Sequence, residues 1–303
     1  MKIVKERCYE NWDGKLDARY CSIRKNATLT LTIRIALVQY TDQSGYAYDA
    51  DDNRFNYNSW RPSEWEKYKK EFADTANFTF EDELWLLNDH KSLAFYHNEE
   101  KFYPNIQCAI NCEIVDVNAN PHKVVEVVNL DTVANPHGVD LTGKHYFRSH
   151  SYLVTNLDNQ PITTGTDSQN LPIRQNTIAH EFGHLIGLEH VNQGKSLDCP
   201  NEDEMSGGGF SWWPVPEYGN LACYGVTDYE KKALMGAGNQ VRKKDADPWR
   251  RMIIDMLGVG QFFNKTKSWS AYKTEIYPRT TSEVNNNIVV DSTNALQYRS
   301  KYI

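Results

Sequence analysis

Three of the chain's nine histidines, His180, His184 and His190, fall within eleven residues, in the stretch TIAHEFGHLIGLEH. Four residues of α-helix turn the chain through about 400°, so His180 and His184 project from one face, one above the other. Their imidazoles can converge on a single ion at a Zn–N distance of ~2.0–2.1 Å. Glu181 sits about 100° further round, badly placed for a first ligand but able to reach a water held by the metal. A straight helix would carry residue 190 away from that ion. Gly187 answers this, because glycine accepts the left-handed conformation that ends a helix and turns the chain back, so that His190 can return as the third ligand. Three protein ligands leave a fourth position open, which is the arrangement of a catalytic rather than a structural zinc. With this chain's own residue frequencies, five such constrained positions arise by chance on the order of 10⁻⁵. The sequence therefore predicts one Zn2+ as cofactor, held by His180, His184 and His190, with Glu181 as general base.

HEFGHLIGLEH fits the HExxHxxGxxH signature, and on it the chain resembles the metzincin zinc endopeptidases. That family has a methionine-bearing tight turn beneath the zinc, followed by a C-terminal helix. ALMGAGNQV is similar, with Met235 between Ala233-Leu234 and a turn-forming Gly-Ala-Gly; Met205, in DEMSGGG, is the rival, with acidic surroundings and no core helix directly after it. The resemblance covers roughly residues 27–258. It implies hydrolysis of peptide bonds, support of the ligands by Met235, and a protein or peptide substrate bound extended along an edge strand. That strand is expected within Val139–Thr155, and SWWPVPEY is expected to line the pocket beyond the scissile bond. Where some metzincins carry an additional tyrosine ligand, two residues after the methionine, this chain has Ala237, so that ligand should be absent. ERCYE does not fit the cysteine-switch motif of latent members, and the chain matches no particular subfamily.

The elements that must position these residues follow from periodicity. ATLTLTIRIALVQY (Ala27–Tyr40) alternates and then turns apolar on both faces, as a strand entering a sheet interior does. SWRPSEWEKYKKEFADTANF reads as a helix, with Pro62 near its start, Ser63 and Glu66 at capping-box spacing, and Trp65, Tyr68, Phe72 and Ala76 on one face. NIQCAINCEIVDV and KVVEVVNL are strands around a NANPH turn, and KHYFRSHSYLVTNL supplies one or two more. DNQPITTGTDSQNLP reads as a polar loop leading to the histidine helix. DPWRRMIIDMLG is a final helix capped by Asp247, opened by Pro248 and ended by Gly258. Together with the resemblance this predicts an α+β fold: a twisted mixed β-sheet with an antiparallel edge strand, the zinc helix, the methionine turn and a C-terminal helix. Residues 1–259 are expected to form the catalytic domain and residues 260–303 a tail or small appendage.

With 33 basic against 40 acidic residues and a net charge of -7, no basic run could hold a phosphate backbone, which argues against a nucleic-acid partner. No apolar stretch approaches the ~20 residues of a membrane span, and no apolar signal-peptide core follows Met1. The six cysteines fall as local couples, Cys8 with Cys21, Cys108 with Cys112 and Cys199 with Cys223, which suggests disulfides and a secreted or otherwise extracytoplasmic location. For Cys108 and Cys112, four residues apart, a bridge would need a bulge or turn. His90, His97, His122 and His137 read as surface residues, and His145 and His150 as ordinary strand or loop residues near the edge strand. Asp49, Asp51 and Asn53 resemble a calcium loop but lack its glycine and glutamate. Asn26, Asn77 and Asn264 carry Asn-x-Ser/Thr at a frequency chance explains. Two other readings stay open at this level. One is a zinc hydrolase of another amide, such as cell-wall material. The other is a delivered toxin, effector or binding module in which proteolysis is secondary.

Overall fold

The computed structural model describes residues 2–8, 12–19, 27–42, 46–48, 54–81, 83–87, 95–97, 100–102, 105–131, 153–155, 161–192, 223–257 and 270–273. The strands in chain order are β1 (Lys2–Cys8), β2 (Asp13–Arg19), β3 (Ala27–Gln39), β4 (Tyr46–Tyr48), β5 (Arg54–Asn56), β6 (Leu84–Leu87), β7 (Phe95–His97), β8 (Glu100–Phe102), β9 (Ile106–Ile114), β10 (Lys123–Val128), β11 (Leu153–Thr155), β12 (Pro161–Thr166), β13 (Pro172–Asn176) and β14 (Ser270–Lys273). The helices are α1 (Pro62–Phe80), α2 (Thr177–Leu185), α3 (Asp228–Lys231) and α4 (Asp247–Leu257). The fold is mixed α+β, with few helices and a twisted sheet that combines antiparallel and parallel pairings. The expected order of strand, helix, strands, histidine helix, methionine-bearing turn and final helix is present. Two compact units divide the chain: Met1–Arg34, Asn77–Glu113 and Arg242–Ile303 form one, and Ile35–Ala76 and Ile114–Val241 the other.

In the first unit the strands are hydrogen-bonded in the order β1-β2-β3-β9-β6-β14. β1 and β2 form an antiparallel pair, β2 runs antiparallel to β3, and β6 runs antiparallel to β9 and to β14. The alternation read in β3 is realised: Ala27, Leu29, Leu31 and Ile33 are buried in turn, before Ile35, Ala36 and Leu37 are buried consecutively. Helix α4 buries Trp249, Met252 and Ile253. Trp249 donates its indole N–H to Ala109 O at 2.9 Å and packs against Phe80, with ring centroids 5.8 Å apart. Gly14 admits this helix, because a Cβ there would stand 2.0 Å from Met252 Sδ. Asp247 is the first residue of α4 and pairs with Arg250 rather than capping; a 3₁₀ turn, Lys243–Ala246, precedes it, and there Asp245 accepts the Arg242 N–H. Ser270–Lys273, within the segment expected to be an appendage, adds a strand beside β6.

In the second unit the C-terminal part of β3 pairs with β10 in parallel, and β10 pairs in parallel with β11. The expected edge strand was antiparallel and lay within Val139–Thr155. The described part, β11, is parallel, and residues 132–152 lie outside the described ones. Helix α1 buries Tyr68, Phe72 and Ala76 on one face, with Trp65 half-buried and its ring 6.1 Å from Tyr68. Ser63 and Glu66, expected to form a capping box, lie inside the helix rather than at its cap. The helix starts at Pro62, whose fixed φ suits a first turn, and the Glu64 carboxylate accepts the Arg61 N–H at 3.4 Å. Within the stretch read as a polar loop, residues 161–172 belong to a hairpin: β12 and β13 pair antiparallel around a turn that Asp167 organises by accepting the N–H groups of Gln169 and Leu171. Asn170 takes the left-handed conformation there, with φ 60°. Among the described residues no helix is long and apolar enough to cross a membrane.

The cysteine expectations separate. Cys108 and Cys112 are buried free thiols, both in β9 and both facing its buried side. Four residues of extended chain put their Cα atoms roughly 13 Å apart, far beyond the ~7 Å a disulfide can span. Burial raises both thiol pKa values, that of Cys112 to about 12. No two described cysteines stand at disulfide distance; Cys21, Cys199 and the side chain of Cys8, the expected partners, lie outside the described residues. Asn77, one of the glycosylation-type sequences, is committed to β9: its Oδ1 accepts the Cys112 N–H at 2.7 Å.

Candidate metal centre

Strand β13 runs directly into α2. Asn176 caps the helix, its Oδ1 accepting the Ala179 N–H at 3.2 Å. The buried face of α2 carries Ile178, Ala179, Phe182 and Leu185, and this hydrophobic stripe fixes the rotation of the helix so that His180 is buried and His184 half-buried beside it. The helix ends as the sequence predicts. Gly187 is left-handed at φ 83°, and the N–H groups of Ile186, Gly187 and Leu188 return to the carbonyls of Phe182, His184 and Gly183. That reversal brings His190 back to the two helical histidines.

The three imidazoles converge. His190 Nε2 lies 3.2 Å from His180 Nε2 and 3.1 Å from His184 Nε2, and one ligand nitrogen from each residue falls within 4.8 Å of the others. Tetrahedral ligands with Zn–N bonds of ~2.0–2.1 Å would stand about 3.3 Å apart. The far side of each helical imidazole settles its tautomer. His180 Nδ1 is 2.7 Å from Leu234 O, and His184 Nδ1 is 2.9 Å from Leu188 O. A carbonyl oxygen only accepts, so both Nδ1 atoms carry the proton and both Nε2 atoms present bare lone pairs. Two lone pairs thus face His190 Nε2, and a single N–H there serves only one of them well, whereas a cation satisfies all three. Burial holds His180 neutral, its pKa pushed down to about 4 against the opposing Leu234 hydrogen bond. Neutral imidazole is the form that binds a metal. By donor chemistry and spacing the three histidines could hold a metal ion.

Met235 lies fully buried under this helix. A Cβ on Gly183 would come within 2.4 Å of Met235 Sδ, so the glycine in HEFGH is the space the methionine fills. Met235 O accepts the Val191 N–H at 2.9 Å, beside His190. Glu181, next along the helix from His180, is half-buried, with Oε2 closed off from solvent.

Two residues of this centre carried no recognisable signal. Tyr224 sets its ring 4.6 Å from that of His190 and 5.7 Å from that of His180, forming one wall. Its only sequence cue is its place directly after Cys223. Gln175, buried in β13, puts Nε2 2.8 Å from Gly236 O and 3.0 Å from His180 Nδ1. It sits between the stretch read as a loop and the histidine helix, in a segment with no periodicity of its own to mark it. Of the other predicted positions, Met205, SWWPVPEY, His90, His137, His145, His150, Asp49, Asp51, Asn53, Asn26 and Asn264 lie outside the described residues, as does the side chain of His97. His122 is half-buried and not part of the cluster. No family profile, no curated protein and no solved structure matches this chain.

Proposed function

We propose that the chain is a zinc-dependent endopeptidase of metzincin type. The observation that carries this reading is the convergence of His180, His184 and His190, with Nε2 atoms 3.1 and 3.2 Å apart and with Nδ1–H of the two helical members tied to backbone carbonyls. These three would hold the ion. When bound, zinc supplies Lewis-acid activation of a water and of a carbonyl oxygen.

Glu181 is the general base. Its position one residue after a ligand turns it out of the ligand set, and its partial burial beside the cluster keeps the carboxylate close to where a proton must be moved. Met235 supports the helix from below without being a ligand, and Tyr224 shields one side of the histidines. The peptide would lie extended along a strand edge of the sheet. A Cys199–Cys223 bridge, as the sequence suggests, would fit an extracytoplasmic site of action.

The test is mapping of newly formed peptide termini after incubation with an unfolded protein, with and without a zinc chelator. Chelator-sensitive internal cleavage supports the reading. Absence of any new terminus at full zinc occupancy would redirect it to a hydrolase of another amide.

A further inference from the structure

We propose that the β12–β13 hairpin positions the metal centre, with Gln175 and Thr164 as its positioning residues; the inference rests on the metal-binding reading above. Four consecutive carbonyls, of Leu234, Met235, Gly236 and Ala237, each accept one hydrogen bond. Leu234 O takes His180 Nδ1–H at 2.7 Å, and Met235 O takes the N–H of Val191, the neighbour of His190, at 2.9 Å. The other two face the hairpin: Gly236 O takes Gln175 Nε2–H at 2.8 Å, and Ala237 O takes Thr164 Oγ1–H at 2.6 Å. One end of this carbonyl row therefore holds His180 and the residue after His190, and the other end is held by the hairpin.

The hairpin is built for that hold. Thr163 pairs with Arg174 and Gly165 with Ile173, so Thr164 is the extra residue of a bulge. A bulge re-aims its side chain, and here Thr164 Oγ1 stands 2.6 Å from Ala237 O and 3.3 Å from Ile173 O of the facing strand, its one hydrogen serving the shorter contact. Gln175 is a buried amide, a costly choice unless its groups are used. One N–H binds Gly236 O, and this fixes which way the amide faces, because the reverse orientation would oppose two acceptors. The same nitrogen packs 3.0 Å from His180 Nδ1 and closes the back of the ring. A third tie, from Asn176 N–H to Asn239 Oδ1 at 2.6 Å, joins the start of α2 to the same turn.

Groups behind a ligand typically govern metal affinity by 10- to 100-fold. Gln175→Leu, nearly the same size, should therefore weaken Zn2+ binding by about that factor in competition with a chromophoric chelator, under conditions where circular dichroism shows the metal-free protein folded. Co2+ in place of Zn2+ should give the variant an altered visible absorption, since ligand geometry changes; a role in stability alone would leave that spectrum as in wild type. Thr164→Val removes only the hydroxyl and should weaken Zn2+ binding several-fold, whereas Thr164→Ser should restore it. The threonine pair decides the matter should Gln175→Leu fail to fold. Wild-type affinity and Co2+ spectrum in both Gln175→Leu and Thr164→Val would overturn the inference while leaving the metal site intact. A wild-type protein that binds no Zn2+ would overturn the metal reading itself.

Discussion

Gly183 and Met235 occupy one space, and their coupling is measurable. A Cβ on Gly183 would stand 2.4 Å from Met235 Sδ and 3.3 Å from Cε, with Leu188 Cδ1 at 3.6 Å on the same site. Ordinary contact needs about 3.5–4.0 Å, so the sulfur would have to retreat by more than about 1 Å within a fully buried pocket. Overpacking of this kind costs about 1–3 kcal/mol, against which alanine gains about 1 kcal/mol over glycine inside a helix. Gly183→Ala alone should therefore be destabilising by up to about 2 kcal/mol. Met235→Ala alone should cost about 2–5 kcal/mol, because the helix above cannot collapse into the space. In the Met235→Ala background the clash is gone and only the helix gain is left, so Gly183→Ala should stabilise that variant by about 1 kcal/mol. Urea unfolding of all four proteins, in chelator-treated buffer so that metal does not contribute, gives the cycle directly. A coupling of about 1–3 kcal/mol is expected. Additivity within about 0.5 kcal/mol would refute the claim that the methionine turn packs under α2 at Gly183.

Three further outcomes follow from the same structure. His184→Ala should retain its fold in metal-free buffer but lose stoichiometric zinc by elemental analysis, because two imidazoles hold the ion poorly. Asp245 is buried and its pKa is raised from 3.8 to about 6, chiefly by that burial. Its contribution is full below the unfolded value and is lost as pH rises through about 6, since the unfolded chain ionises first. Asp245→Asn should remove a loss of up to about 3 kcal/mol between pH 4 and 6, read by unfolding at several pH values; an unchanged slope would contradict this. Cys223 is expected to be bridged to Cys199, closing the 23 intervening residues and contributing roughly 3 kcal/mol. Non-reduced peptide mapping should find those two linked; Cys223 joined to Cys8 or Cys21 would refute the pairing.

The three-histidine cluster at α2 was legible because a cluster written on one helix and its terminating glycine is local. His180, His184, Gly187 and His190 are fixed by 3.6-residue periodicity and one left-handed residue, and the structure brings the three histidines together accordingly. Strand β3 and the apolar faces of α1 and α4 were legible for the same reason, since burial repeats along the chain. What was not legible is held by partners distant in sequence. Gln175 and Thr164 act on carbonyls more than sixty residues away, and nothing in PITTGT announces a bulge. Tyr224 reaches the histidines only because the chain folds back. Strand direction is equally non-local: Leu153–Thr155 reads as a strand, but its parallel pairing to β10 follows from the connection and not from its residues. At Cys108 and Cys112 the sequence already required a bulge or turn for a bridge, and in the extended strand both are free thiols.

The most direct test of the central claim is Glu181→Gln. The substitution keeps size and hydrogen-bonding capacity while removing the basic carboxylate, and Glu181 is not one of the three converging ligands. The account predicts a protein with wild-type zinc content and near-wild-type melting that hydrolyses an unfolded protein substrate at least ~10²-fold more slowly. Hydrolysis at the wild-type rate, with zinc in place, would contradict it.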